Sequence, residues 1–235
     1  MNKSTLLITG TTDFLRSPTE TDNTCEEVFE LTLPSKQRYT KKHGYDLLTL
    51  RSFGEDTNNI FLPNHLGFLR VLHCFKMLKY YDTVMWIDAD AILTNLNYKI
   101  ENFTDNNSSL CVSWDWNGKQ SFSTGNFILK NTNETEELYQ AFLSIGDFVV
   151  KNKHWGEEQT TFNLIYNNTE LKNTIKILDH NYLNSVPSKS TLGEVWSTRP
   201  EIPYPWNEDC FLAHITGIPN NNRIEILNRV FNKFL

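Results

Sequence analysis

Val84–Leu93 reads VMWIDADAIL. Four apolar residues run into two carboxylates, Asp88 and Asp90, and the chain turns apolar again at once. The short apolar run, opened by Thr83, predicts a buried strand over Thr83–Ile87. Carboxylates abutting such a strand need compensation, because an unpaired charge withdrawn from water costs several kcal/mol or more. Two readings supply it. Asp88 caps a following turn while Asp90 stays solvated. Alternatively, both groups project beyond the carboxyl end of the strand, where open parallel sheets bind ligands, and share a divalent cation such as Mn²⁺ or Mg²⁺. The cation's open positions then take phosphate oxygens.

Working outward from this strand, short buried runs alternate with helical spacing. Ser4–Gly10 (STLLITG) predicts a strand ending in a Gly/Thr turn, and Tyr45–Leu50 a second strand after a helix stop at Gly44. Glu26–His43 has helical spacing and is expected to break at Pro34. Leu66, Leu69, Leu72, Cys74, Phe75 and Leu78 fall mostly on one helical face, with Arg70 mid-helix. Beyond the carboxylates, LCVSW (110–114), GNFILK (125–130), IKIL (175–178) and CFLAHI (210–215) read as strands. Glu134–Phe148, Gly156–Tyr166 and the closing RIEILNRVFNKFL (223–235) read as helices. Strands alternating with helices, without a Gly/Ser/Pro linker or repeat, predict one α/β domain with a mostly parallel sheet flanked by helices.

The 235 residues are 39% hydrophobic and 21% charged, an ordinary globular balance, and the formal charge of −6 argues against a general nucleic-acid binder. The start MNKSTLLITG has too short an apolar run for a signal peptide, and no window approaches the roughly 18 apolar residues of a membrane span. Cys25, Cys74, Cys111 and Cys210 form no CxxC pair and read as thiols of a reduced compartment. The sequons at Asn102, Asn107, Asn133 and Asn167 then read as chance in an Asn-rich chain. The cytoplasm is the expected location.

Four further stretches offer partners for the carboxylates. His214, in WNEDCFLAHITGIP (206–219), is either a satisfied core side chain or a third ligand; an Asp–Asp–His set favours Mn²⁺ over Mg²⁺. Asp115, between two tryptophans, and the STGN turn containing Gly125 and Asn126 fit either a β-hairpin or the lining of a sugar pocket. Glu157, Glu158 and Gln159 open a helix whose dipole favours acidic residues there; the functional alternative is contact with a reacting sugar or its acceptor. Arg70 and Arg223, the latter in the loop after His214, are either solvated charges or phosphate contacts.

These pieces, in this order, resemble a GT-A-fold glycosyltransferase, and more narrowly the family-34 galactosyl-, mannosyl- and xylosyltransferases. KQRYTKKHGYDLLTL (36–50), LKYYDTVMWIDADAIL (78–93), STGNFILKN (123–131), WGEEQTTFN (155–163) and WNEDCFLAHITG (206–217) carry the resemblance. It implies one transferase domain over 1–235, with a nucleotide-binding half about 1–95 and a sugar- and acceptor-binding half about 96–235. It implies that Asp88, Asp90 and His214 hold Mn²⁺ against a nucleotide diphosphate sugar, and that Thr9, Gly10 and Thr11 lie under the nucleotide. Glu158, Gln159 and Asp115 are the catalytic candidates near the transferred sugar and a glycan acceptor. Arg70, Gly125, Asn126 and Gly217 complete the nucleotide and sugar site. The family retains anomeric configuration. Pro219 stands where its plant members carry a Lys on the diphosphate, with Arg223 or Arg70 as the substitute. The membrane anchor of its eukaryotic members is not seen.

Two alternatives stay in view. A hydrophobic strand followed by DxD also opens haloacid-dehalogenase-like phosphatases, although there the motif lies near the N-terminus and needs a later Lys and acidic pair. A non-catalytic binder of sugar nucleotides would keep the fold but has little need of three metal ligands.

Overall fold

The computed structural model describes residues 4–10, 24–51, 66–115, 118–154, 156–192, 205–218 and 220–235. Its frame is a six-stranded sheet in the order β2-β1-β3-β6-β5-β7. The strands are β1 (Thr5–Gly10), β2 (Asp46–Leu50), β3 (Thr83–Asp88), β5 (Leu110–Asp115), β6 (Gly118–Lys130) and β7 (Ile175–Leu178). β1 pairs in parallel with β2 and β3, and β5 with β7. Only β6 runs against its neighbours, opposite both β3 and β5. The expected mostly parallel sheet is therefore present, and it passes without a break from the first half of the chain into the second.

Alternation along the strands sorts the core into two layers. Leu6, Ile8, Val84, Trp86, Phe127 and Leu129 face helices α2 (Leu66–Met77), α3 (Thr135–Lys151) and α4 (Glu157–Asn168), packing with Phe68, Phe142 and Phe162. Leu7, Met85, Ile87 and Ile128 face the other way, against Tyr39, Phe103 and Phe211. Tyr39 belongs to α1 (Thr24–His43).

α1 runs through Pro34 instead of breaking there. Proline removes the N–H that would meet the Glu30 carbonyl, but Glu30 is exposed, so water can serve that oxygen. The hydroxyl of Ser35 donates to the Thr32 carbonyl at 2.7 Å, adding a local tie beside the proline.

A third layer carries the far side of the site. β4 (Ala91–Leu93), which the sequence pattern did not mark as a strand, pairs antiparallel with β8 (Leu212–His214), with Ala91 opposite His214. The CFLAHI strand thus lies outside the main sheet. Ile92, Ala213 and Ile215 pack there with Val28 of α1 and with Ile226 of α7 (Asn220–Val230). α7 begins three residues before Arg223, which therefore sits in its first turn and not in a loop. Two short helices, α5 (His180–Leu183) and α6 (Lys189–Leu192), complete the described elements of four or more helical residues besides a 3-10 turn at Glu170–Thr174. No helix among the described residues is long and apolar enough to cross a membrane.

Candidate active site

The carboxyl ends of β1 and β3 lie level, with Gly10 in register with Asp88. Alternation puts Asp88 on the same face as Trp86, toward α2. The Trp86 indole donates to Asp88 Oδ1 at 2.6 Å, and Arg70 of α2 donates to the same oxygen at 2.5 Å. The other arm of the Arg70 guanidinium binds Glu158 at the start of α4. Thr124 of β6 donates to that Glu158 oxygen at 3.0 Å. A planar fork bridging two carboxylates suits arginine and no other side chain. Burial works against the charge on Arg70, but Asp88 and Glu158 outweigh it and raise its pKa above the ordinary value.

After Asp88 the chain turns sharply, and each residue of the turn is gripped from a different direction. The Asp88 amide donates to Asn126 Oδ1 at 3.1 Å, and the Ile215 amide to the Asp90 carbonyl at 3.0 Å. Between them, the Ala89 carbonyl accepts from the Thr32 hydroxyl of α1 at 2.6 Å. The result is a convergence that sequence distance conceals. His214 Nε2 lies 3.4 Å from Asp90 Oδ1 and 3.8 Å from Asp88 Oδ2, and ligand atoms of all three residues fall within 4.8 Å of one another.

The imidazole is aimed by a chain of hydrogen bonds. Asn184 donates through Nδ2 to the Trp114 carbonyl at 3.0 Å, which leaves its Oδ1 facing His214 Nδ1 at 2.8 Å. Nδ1–H is then the donor, and in the neutral ring Nε2 keeps its lone pair. Nε2 is buried and makes no hydrogen bond. His214 is 2% and Asp90 7% exposed. A set of two carboxylates, one buried and one half-buried, and an imidazole lone pair is acceptor-only, and a hard divalent cation suits it. Gly125 of β6 adds a steric observation: a Cβ there would overlap His214 Cε1 and come within 2.9 Å of Asp88 Oδ2. The space that three ligands enclose is kept open by a missing side chain. On both counts the residues fit a metal ion.

Charges around the cluster separate the two aspartates. Burial holds the Asp88 carboxyl above its ordinary range, against the pull of Arg70 and helped by the negative charge of Asp90. Burial acts the same way on Asp90. There a protonated His214, the state without a metal on Nε2, and Arg223, whose Nη1 lies 3.1 Å from Asp90 Oδ2, outweigh it and hold the carboxyl well below the usual range.

The remaining candidates lie on the same edge at differing distances from the cluster. Gln159 follows Glu158 on α4 and donates to Asp115 Oδ2 at 3.4 Å, which joins the three catalytic candidates into one row. Asn126 lies opposite Ile87 and ties Asp88 to the Leu183 carbonyl, to which it donates at 3.0 Å. Thr9 and Gly10 end β1; the Thr9 hydroxyl is buried without a hydrogen bond, and a Cβ on Gly10 would meet the Leu50 carbonyl at 2.6 Å. Gly217 has φ of 69° in the turn between β8 and α7, a left-handed conformation that favours glycine. Thr11 and Pro219 fall outside the described residues. Arg70 and Arg223, read as phosphate contacts or solvated charges, both sit on carboxylates of the site.

Several supporting residues carried no signal in the sequence. Asn184 and Thr32 are single polar residues in unremarkable segments, and only the fold brings them to the ligands; Thr124 lay within the quoted STGN turn without being singled out there. Trp86 had a faint one, two positions before Asp88 and hence on the same face of β3.

A family model described as "Protein of unknown function, DUF273" matches residues 37–188, more than half of the chain. The chain belongs to the DUF273 family. The match takes in Asp88, Asp90 and Glu158 and stops short of His214. No curated protein matches this DUF273 chain. Among solved structures it is similar to a glycosyltransferase involved in glycosylation of the major capsid of PBCV-1, with a TM-score of 0.63 and 16% identity over 97% of this chain and 100% of that one. The glycosyltransferase GlyE of Streptococcus pneumoniae TIGR4 superimposes with a TM-score of 0.56 at 14% identity, over 98% of this chain and 64% of GlyE. The galactosyltransferase LgtC, solved with donor and acceptor sugar analogues, does so with a TM-score of 0.51 at 11% identity, over 90% and 87%. At these identities the likeness establishes the fold, which is that of GT-A-type glycosyltransferases.

Proposed function

We propose that the protein is a metal-dependent glycosyltransferase. It moves a sugar from a nucleotide diphosphate sugar, a UDP-sugar in preference to a GDP-sugar, to a hydroxyl of a glycan, with retention of anomeric configuration. The observation that carries this reading is the convergence of Asp88, Asp90 and His214 at the end of β3, with His214 Nε2 buried beside two carboxylates and making no hydrogen bond.

In this reading Asp88, Asp90 and His214 hold Mn²⁺, or Mg²⁺ in its place, which when bound acts as a Lewis acid toward the diphosphate. Asn184 keeps the imidazole in the ligating tautomer, as an outer partner of a metal-bound histidine does. Arg223, reaching in from α7, offers a second positive group to the charge that develops on the departing phosphate. That is the role left open where a Lys was expected. Glu158, Gln159 and Asp115 line the sugar side. Glu158 has Oε1 committed to Arg70 and Thr124, which suits a fixed negative charge beside a sugar turning cationic better than a general base. With Glu158 so engaged, the acceptor hydroxyl attacks on the leaving-group face and passes its proton to the departing phosphate oxygen.

The phosphatase alternative needs an unencumbered first carboxylate as its nucleophile, and Asp88 Oδ1 is occupied by both Trp86 and Arg70. Thermal unfolding across a panel of nucleoside diphosphates, with and without Mn²⁺, tests the proposal. A ligand at one hundred times its Kd stabilises the native state by about 2.7 kcal/mol. One nucleotide should raise the melting temperature only when Mn²⁺ is present, and Asp90→Asn should abolish the shift. A flat response to every nucleotide sinks the reading. Turnover of the matching sugar nucleotide then separates a transferase from a binder.

A further inference from the structure

Lys36 is a buried cation that the chemistry above leaves unused. It lies on α1 at 0% exposure, which is rare for lysine. Its Nζ donates to the Thr32 hydroxyl at 2.9 Å and toward the Ala89 carbonyl at 3.4 Å. An ammonium can only donate, so the Thr32 oxygen must accept and send its own proton to a carbonyl. Two are in reach, Ala89 at 2.6 Å and Phe29 at 3.2 Å, and the nearer belongs to the peptide between the two aspartates. The Asp88 amide and the Asp90 carbonyl are held by Asn126 and Ile215. The Thr32–Lys36 pair supplies the third hold, on the bend itself.

We propose that Thr32 and Lys36 are positioning residues for the metal site: they fix the Ala89 peptide so that the carboxylates of Asp88 and Asp90 converge on His214. The inference rests on the metal-site reading and extends it to two residues of α1 that touch neither metal nor substrate. It has a diagnostic sign. A positive charge behind the turn repels a dication, so if Lys36 acted by charge alone its removal would tighten metal binding. As a positioning group, its removal weakens it.

Mn²⁺ affinity of the full chain, measured by calorimetry with circular dichroism as the check on folding, tests this. Thr32→Val should weaken Mn²⁺ binding roughly 10-fold or more, the usual effect of losing an outer partner of a metal ligand. Thr32→Ser, which keeps the hydroxyl, should stay near wild type. Lys36→Met should shift affinity in the same direction as Thr32→Val, and it decides alone if Thr32→Val does not fold. Unchanged or tighter Mn²⁺ binding in Lys36→Met overturns the inference, as does a lowered melting temperature with unchanged affinity, the mark of a merely structural role. Failure of the wild-type chain to bind Mn²⁺ would instead fell the metal-site reading, and this inference with it.

Discussion

Gly125 and His214 face each other across the site with no room for a side chain between them. A Cβ on Gly125 would overlap the imidazole Cε1, lie 3.1 Å from Nε2 and approach Asp88 Oδ2 to 2.9 Å. Two strands from different sheets, β6 and β8, are thereby committed to the same small volume. The absence of a methyl group on one leaves the ligands of the other accessible.

Gly125→Ala should therefore damage binding more than folding. Alanine is tolerated in a strand backbone, and local crowding costs about 1–3 kcal/mol. Displacing His214 and Asp88 from their mutual geometry should reduce Mn²⁺ affinity by roughly 10-fold or more. Calorimetric Mn²⁺ titration beside a denaturant melt checks the split; a variant that loses stability but binds Mn²⁺ normally would contradict it.

Arg70 joins Asp88 at the end of β3 to Glu158 at the start of α4 through one guanidinium. Asp88, Glu158 and Arg70 are all largely withdrawn from solvent, with side-chain exposures of 22%, 12% and 16%. Removing one partner of a buried ion pair typically costs ~3–5 kcal/mol, because the remaining charge stays buried. Arg70→Met should show a loss of that order in urea denaturation. Arg70→Lys should recover only part of it, since a single ammonium cannot span two carboxylates in the manner of a planar fork. Full recovery by lysine would show that charge alone, and not the bridge, matters.

The strand at Thr83–Asp88 and the alternation of strands and helices were legible because both arise from local periodicity, which burial of one face imposes. The DxD pair was legible as a liability, two charges where apolar residues were due. What the sequence hid was pairing at long range. β4 is only three residues, too short to stand out as a strand, and only its ladder with β8 explains how His214 reaches Asp90. Pro34 misled because a helix interior rule was applied without knowing that Glu30 faces water. Lys36 was visible only as the first residue of a quoted motif, since nothing in the spacing of α1 says that its ammonium ends under the Ala89 peptide.

Gly67, in the first turn of α2, should be as sensitive as Gly125, for a related reason. A Cβ there would collide with the Glu158 carboxylate. In an exposed helix, glycine to alanine gains about 1 kcal/mol. Here the gain should vanish, because the new methyl must push Glu158 off Arg70 and Thr124. With the matching donor, Gly67→Ala should lower kcat while leaving KM for the nucleotide sugar little changed, as expected when a group that acts on the reacting sugar is displaced. A rise in KM alone would place Glu158 in binding instead.

Lys36 should also leave a signature in the pH dependence of stability. Burial pulls its pKa down to about 7, against the opposing influence of Asp90 and Asp88. In the unfolded chain the same lysine titrates near its ordinary value of 10.5. Between those limits the unfolded chain holds a proton that the folded protein has shed, so raising the pH favours folding, by up to about 1.4 kcal/mol per pH unit for one such group. The opposite slope sets in near pH ~10, where unfolded tyrosines ionise while Tyr39 and Tyr45, their pKa values raised first by burial, keep their protons. The window for Lys36 is thus about pH 7 to 9.5. Metal-free wild type, followed by urea denaturation across that window, should gain stability relative to Lys36→Met, most of all at its alkaline end. At pH 6, below the folded pKa, the methionine variant should be the more stable of the two. Parallel pH profiles for the two proteins would mean that Lys36 keeps its proton throughout, and would require a stronger counter-charge than Asp90 and Asp88 provide.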